Sequence, residues 1–168
     1  TATRARLKLL TVLRTTVQGV SGYGSDEHAE QAVDIDPRRS LVAAERAILE
    51  RMVAAEPANA TWQHRLAVNL NLAGELLAVR GQRDVARQFL ERALGITIAL
   101  VDRDDGNSTW RRELARNEFK LGRLFIGLDP PRAVTLTTRA AETLGALVEK
   151  DPTNAGWQRD WAEARHGH

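Results

Sequence analysis

Three stretches that share one pattern decide the fold of this chain: MVAAEPANATWQHRLA at residues 52–67, LVDRDDGNSTWRRELA at 100–115 and LVEKDPTNAGWQRDWA at 147–162. In each stretch an asparagine stands three residues before a tryptophan, and an apolar residue and an alanine stand four and five residues after it. The tryptophans, Trp62, Trp110 and Trp157, are 48 and 47 residues apart. Similarity at a fixed spacing of this size is typical of repeat proteins. We therefore predict a tandem repeat whose tryptophans pack between repeats.

Each repeat is predicted to form two helices. After Trp62, apolar residues recur at helical spacing as far as Gly81, and a second helical face follows over residues 85–101. The next repeat predicts the same pair, with its first helix ending near Leu128. The loops EPANA, DDGNS and DPTNA contain residues that cap helices and form turns. We therefore expect an all-α chain of stacked antiparallel helix pairs, with about six or seven helices in total.

The chain before the repeats has a different character. Residues 3–19 have apolar residues along one side of a predicted helix, and a long polar connection that contains glycine follows them. We divide the chain into residues 1–38, an amphipathic helix plus polar loop, and residues 39–168, the repeat domain. The first segment is interpreted either as a cap of the array or as a join to a domain that has been removed.

Small residues recur where the two helices of a repeat are expected to cross. Gly74 and Gly122 allow a close approach from the first helix, and Ala86 and Ala93 from the second. These positions match part of the tetratricopeptide signature, and the chain resembles a tetratricopeptide-like array with long helices over residues 40–168. The resemblance implies a right-handed α-solenoid whose first helices line a concave groove, of the kind found in multidomain bacterial signalling and effector proteins. HEAT-like or armadillo-like repeats are the alternative fold.

The composition and motifs exclude several classes of function. The chain has no cysteine, so it contains no disulfide, thiolate metal site or cysteine nucleophile. Its net charge of only +2 makes nucleic acid an unfavoured partner. No catalytic, metal-binding or phosphate-binding motif is present, so we predict no enzyme activity, no metal and no cofactor. No apolar run is long enough to span a membrane, and we expect a cytoplasmic protein without membrane association.

One pattern of charged residues indicates a candidate binding surface. Four basic residues of the second repeat share one helix face, and the resemblance places that face in the groove. The groove candidates are Arg112, Arg116, Lys120 and Arg123, with His64, Asn71 and Glu75 from the first repeat. One interpretation is a solvated, arginine-rich surface. The other is a partly basic groove that receives an acidic segment or a terminal carboxylate, which arginine binds through two parallel hydrogen bonds.

The sequence therefore predicts a non-catalytic scaffold that binds a peptide or a neighbouring domain. Two alternatives stay open. Helical repeats also bind single-stranded nucleic acid, although Phe119 is the only aromatic residue expected in the groove. The array could instead act as a spacer or form homo-oligomers through the open end of the repeat.

Overall fold

The computed structural model describes residues 37–166, and these residues form six α-helices with no strand among them. The helices are α1 (Pro37–Ala55), α2 (Ala60–Val79), α3 (Arg83–Arg103), α4 (Ser108–Phe125), α5 (Pro130–Lys150) and α6 (Ala155–His166). The predicted all-α class is confirmed, and α1 begins at Pro37, slightly before the expected domain boundary. The helix predicted at residues 3–19 and the polar loop after it lie outside the described residues.

The repeat is visible in the positions at which helices begin. Each of α2, α4 and α6 starts directly after the asparagine of its repeat, Asn59, Asn107 or Asn154. The Oδ1 atom of each asparagine accepts a hydrogen bond from the backbone N–H of the tryptophan three residues later, at 3.1–3.3 Å. This bond satisfies one of the N–H groups that the first turn of a helix leaves without a partner. The spacing of asparagine and tryptophan is therefore that of a helix cap.

Loss of one of these caps should destabilise the protein measurably. In Asn107→Ala, the backbone N–H groups of Thr109 and Trp110 lose the acceptor that now lies 3.2 Å from each. We expect the free energy of unfolding in urea to fall by about 1 kcal/mol. Asn107→Ser is the matched control, because serine is also a good cap, and it should retain most of the stability. Equal losses in the two variants would contradict the capping role.

Each helix packs against the next along the chain, and the helices that lead the repeats also meet one another. We call α2, α4 and α6 the leading helices and α1, α3 and α5 the trailing helices. α4 contacts both α2 and α6 in addition to its neighbours in sequence. The core consists of successive apolar clusters, of which one joins Leu49 of α1, Leu66 and Leu70 of α2 and Ala93 of α3. Packing that is shared from one repeat to the next is the behaviour of a helical repeat array.

The predicted close crossing of leading and trailing helices is present in both repeats. A Cβ atom added to Gly74 would lie 2.7 Å from Leu90 Cγ and 3.2 Å from the carbonyl oxygen of Ala86. The same contact recurs one repeat later, where a Cβ atom on Gly122 would lie 2.7 Å from Thr137 Cγ2 and 3.2 Å from the carbonyl oxygen of Ala133. Since real Cβ atoms are almost never found closer than 3.0 Å, only glycine allows these helices their present separation.

The tryptophans are partly buried, and the two that lie at the ends of the array pack against its apolar clusters. Trp62 packs against the cluster that joins α1, α2 and α3, and Trp157 packs against the cluster that joins α4, α5 and α6. The end of α4 differs from the prediction. The helix stops at Phe125 rather than near Leu128, because the chain turns at Gly127 with a φ of 83°.

Candidate interaction surface

The leading helices present one continuous set of side chains, which we call the three-helix face. Its members occupy equivalent positions in successive repeats, and all are exposed or partly exposed. They are His64, Val68, Leu72 and Glu75 of α2, Arg112, Arg116, Lys120 and Arg123 of α4, and Arg159 and Glu163 of α6. Positions at this spacing share one side of a helix, and the adjacency of α2, α4 and α6 places the three sides next to each other.

Two basic residues of the face make short ion pairs with neighbouring repeats. Lys120 Nζ lies 2.8 Å from Glu75 Oε2 on α2, and Arg112 Nε lies 2.6 Å from Asp160 Oδ2 on α6. Lys120 and Asp160 are largely buried, so these pairs are better shielded from solvent than ordinary surface pairs. They connect α4 to the leading helix on each side.

The other two basic residues make only long contacts. Arg116 Nη1 lies 3.7 Å from Glu113 Oε2, and Arg116 Nε lies 3.9 Å from Asp160 Oδ2. Arg123 lies 3.9 Å from Glu163, and both of those side chains are well exposed. These separations are longer than a charge-assisted hydrogen bond. Arg116 and Arg123 therefore retain donor capacity for another carboxylate.

Four acidic residues pair with the four basic residues and balance their formal charge: Glu75, Glu113, Asp160 and Glu163. The sequence contained a signal for two of these acids. Glu113 and Asp160 both stand three residues after the tryptophan of their repeats, where the first repeat has Arg65. Each of the two acids contacts the preceding leading helix. Glu113 accepts a hydrogen bond from Asn71, and Asp160 forms an ion pair with Arg112. An acid three residues after the tryptophan is therefore a signal in the sequence, but it does not show which residues of the preceding leading helix the side chain contacts.

Asn71 is a correction to the predicted groove candidates. Its side chain is only 2% exposed, and its Nδ2 donates to Glu113 Oε1 at 2.8 Å. The residue lies at the margin of the α2 face, on the side that is turned towards α4. Asn71 is therefore a buried contact between repeats and is not accessible to a partner. Phe119 occupies the equivalent position of α4 and is likewise only 6% exposed.

A small pocket opens between the leading helices beside this ion-pair network. It has a volume of about 100 Å³, and Phe119 and Leu144 provide its apolar lining. The charged lining comes from all three leading helices: Glu75, Arg116, Lys120, Asp160 and Glu163. The guanidinium of Arg123 lies 5.8 Å from the centre of the Phe119 ring and helps to cover it. The pocket is large enough for one side chain of a partner and too small for a folded element.

One carboxyl group of α4 lies away from this face and is buried. Glu118 is 2% exposed, and desolvation by burial raises the pKa of its carboxyl above the ordinary value of 4.5. The guanidinium of Arg139 acts in the opposite direction, because its Nη2 lies 2.8 Å from Glu118 Oε1. That distance makes an ion pair, but the oxygen accepts no hydrogen bond of good geometry. Glu118 is a structural residue between α4 and α5.

Residues 37–166 contain no convergent group of three or more histidine and acidic side chains that could hold a metal ion. In the same range, no helix combines the length and apolarity that crossing a bilayer requires. No protein-family model matches the chain, and no curated protein matches it at a significant level.

Proposed function

We propose that this protein is a non-catalytic scaffold that binds a peptide or a neighbouring domain along the three-helix face. The observation that carries the proposal is the arrangement of accessible side chains. Equivalent positions of three successive repeats contribute to one surface, and a pocket lies in its middle. A surface that is built by repetition is longer than any single repeat, which suits an extended segment of another protein.

The side chains of the face favour a partner segment with both acidic and apolar residues. Arg116 and Arg123 lie 3.7–3.9 Å from their acidic neighbours, so a carboxylate of the partner can form shorter, two-point contacts with either guanidinium. Val68 and Leu72 are exposed on α2 beside them and give an apolar contact area. Lys120 and Arg112 already form short ion pairs with Glu75 and Asp160, so they contribute mainly to the shape of the surface.

Reversal of one exposed charge tests this proposal. A peptide-display selection against the purified protein should enrich a segment with an acidic residue, and Arg123→Glu should weaken its binding at least about tenfold. The fold should be retained, because Arg123 is exposed and its contacts with Glu163 at 3.9 Å and with the centre of the Phe119 ring at 5.8 Å are both long. Arg51→Glu is the matched control, since Arg51 is an exposed arginine on α1, away from the face. Binding should be measured by fluorescence anisotropy with the selected peptide.

Two results would count against the proposal. A selection that enriches no peptide would remove the basis for an interaction scaffold of this type. Equal binding by the parent chain and Arg123→Glu would show that the partner binds elsewhere. Salt-sensitive binding of a labelled oligonucleotide in place of any peptide would favour the nucleic-acid alternative.

A further inference from the structure

The three-helix face changes its chemistry from one repeat to the next at one set of equivalent positions. The position six residues after each tryptophan holds Val68 in α2, Arg116 in α4 and Glu163 in α6. All three side chains are exposed or partly exposed, and Arg116 and Glu163 also line the pocket. Across the middle of the face, the leading helices therefore present an apolar, a basic and an acidic side chain in that order.

The equivalent positions one turn away show where this order begins and ends. One turn earlier, the set contains bases and no acid: His64, Arg112 and Arg159. One turn later, Leu72 and Lys120 repeat the apolar and basic members, and the third member of that set lies outside the described residues. The change from apolar to basic to acidic therefore belongs to the middle of the face, where the pocket opens.

The charged members of this set can exchange their present contacts for new ones. The ion-pair distances of Arg116 are 3.7 and 3.9 Å, and Glu163 lies 3.9 Å from Arg123. Asp160, the other carboxylate of α6 that lines the pocket, already forms an ion pair with Arg112 at 2.6 Å. A carboxylate from a partner competes with the acids of the face for Arg116 and Arg123, and Glu163 can then pair with a cation of the same partner.

The spacing of the leading helices selects the conformation of a segment that crosses them. α4 has Cα atoms within 8 Å of Cα atoms in α2 and in α6, and the axes of packed helices are about 8–10 Å apart. A polyproline II segment has three residues per turn and rises about 3.1 Å per residue, so every third side chain points to the same side about 9 Å further on. The side chains on one face of a β-strand are only about 6.6 Å apart. A polyproline II segment therefore matches the helix spacing, and a β-strand does not.

We propose that the middle of the three-helix face binds a polyproline II segment of a partner protein that has an apolar, an acidic and a basic residue at every third position. The apolar side chain lies over Val68 and Leu72, the acidic one pairs with Arg116, and the basic one pairs with Glu163. The inference rests on the proposed scaffold function and adds the order, the spacing and the conformation of the bound segment. Both chain directions satisfy it, because a segment and its reverse present the same side chains from α2 to α6.

Labelled seven-residue peptides test the order and the spacing by fluorescence anisotropy with the full chain. Two peptides carry leucine, glutamate and lysine at their first, fourth and seventh positions, one in this order and one reversed, with proline at the other positions. At least one of the two should bind. Its isomer with the three residues at the first, third and fifth positions should bind at least about tenfold more weakly. Replacement of the prolines by glycine should also weaken binding, because a glycine-rich chain is flexible and is not held in the polyproline II conformation.

Glu163→Lys gives a reversal of preference that a merely structural role would not produce. At the peptide position that faces α6, the parent chain should prefer lysine to glutamate, and the variant should prefer glutamate to lysine, each about fivefold or more. The fold should be retained, because Glu163 is exposed and lies 3.9 Å from Arg123. Glu149→Lys is the matched control, since Glu149 is an exposed acid of the trailing helix α5, and it should keep the preference of the parent.

The outcomes separate this inference from the function on which it rests. A display-selected peptide that Arg123→Glu weakens, but that lacks this order and spacing, would overturn the inference and leave the scaffold function standing. The same conclusion follows if a selected peptide binds the face and both designed peptides fail to bind. Equal preferences in the parent and in Glu163→Lys would show that no basic residue pairs with α6, and would also overturn the inference. A selection that enriches no peptide would remove the scaffold function and this inference with it.

Discussion

Gly122→Val should destabilise the protein by about 3 kcal/mol or more, because the position has no space for a side chain. A Cβ atom there would lie 2.7 Å from Thr137 Cγ2 and 3.2 Å from both Leu136 Cβ and the carbonyl oxygen of Ala133. The Ala133 oxygen belongs to the backbone of α5, which cannot move aside as a flexible side chain can. Valine therefore forces α4 and α5 apart and disrupts the apolar cluster to which both helices contribute.

The same substitution at Gly95 provides the control. Gly95 lies inside α3, and no atom of a neighbouring helix lies within 4 Å of the position of an added Cβ, so Gly95→Val does not push α3 away from another helix. Valine has a somewhat higher helix propensity than glycine, so the control should be neutral or slightly stabilising. Both variants should be compared by urea denaturation, with Gly74→Val as a second test of the crossing in the preceding repeat. Similar stabilities for Gly122→Val and Gly95→Val would refute the argument from close approach.

The features that the sequence predicted are those that depend on a single repeat. The asparagine before each tryptophan fixes the start of a leading helix, since a cap acts within one turn of the helix. Gly74 and Gly122 identify the crossing points, because a residue without a side chain at a regular position indicates a close neighbour. The second helix of the first repeat, predicted over residues 85–101, is confirmed, since α3 spans Arg83–Arg103.

The features that the sequence did not predict depend on how one repeat is rotated against the next. Helical periodicity placed Arg112, Arg116, Lys120 and Arg123 on one face, but it could not place Asp160 of α6 beside them. Asn71 was wrongly assigned to the groove because it lies at the margin of the α2 face. The position of the neighbouring helix decides whether such a residue is exposed or buried, and α4 buries it. Residues 126–128 were predicted to continue α4, whereas the structure places them in a turn at Gly127.

The repeat also explains why one buried position is unusual. Leu70 and Glu118 are equivalent residues of successive repeats, 48 positions apart, and both are almost completely buried. Leu70 contributes to the apolar cluster of the first repeat. Glu118 must instead lose most of its hydration, and a single contact with the exposed Arg139 offsets only part of that cost. The second repeat therefore has a buried carboxyl group at a position where the first repeat shows that leucine packs well.

Glu118→Leu should therefore stabilise the protein by about 1–4 kcal/mol at neutral pH. The substitution removes the desolvation cost of a buried carboxylate and adds apolar packing between α4 and α5. Arg139 loses its partner but is more than half exposed, so water can solvate its guanidinium. Glu142→Leu is the matched control, because Glu142 is exposed on α5 and its replacement should change the free energy of unfolding very little.

The stabilisation by Glu118→Leu should also depend on pH with a definite sign. Burial raises the pKa of Glu118 in the folded state above 4.5, so the unfolded chain loses this proton first as the pH rises. The parent chain consequently loses stability from about pH 4.5 up to the folded-state pKa, and the variant lacks this loss. The difference in free energy of unfolding between variant and parent should therefore be smallest below pH 4.5 and grow towards neutrality. A difference that stays constant across this range, or that shrinks as the pH rises, would show that ionisation of Glu118 does not oppose folding.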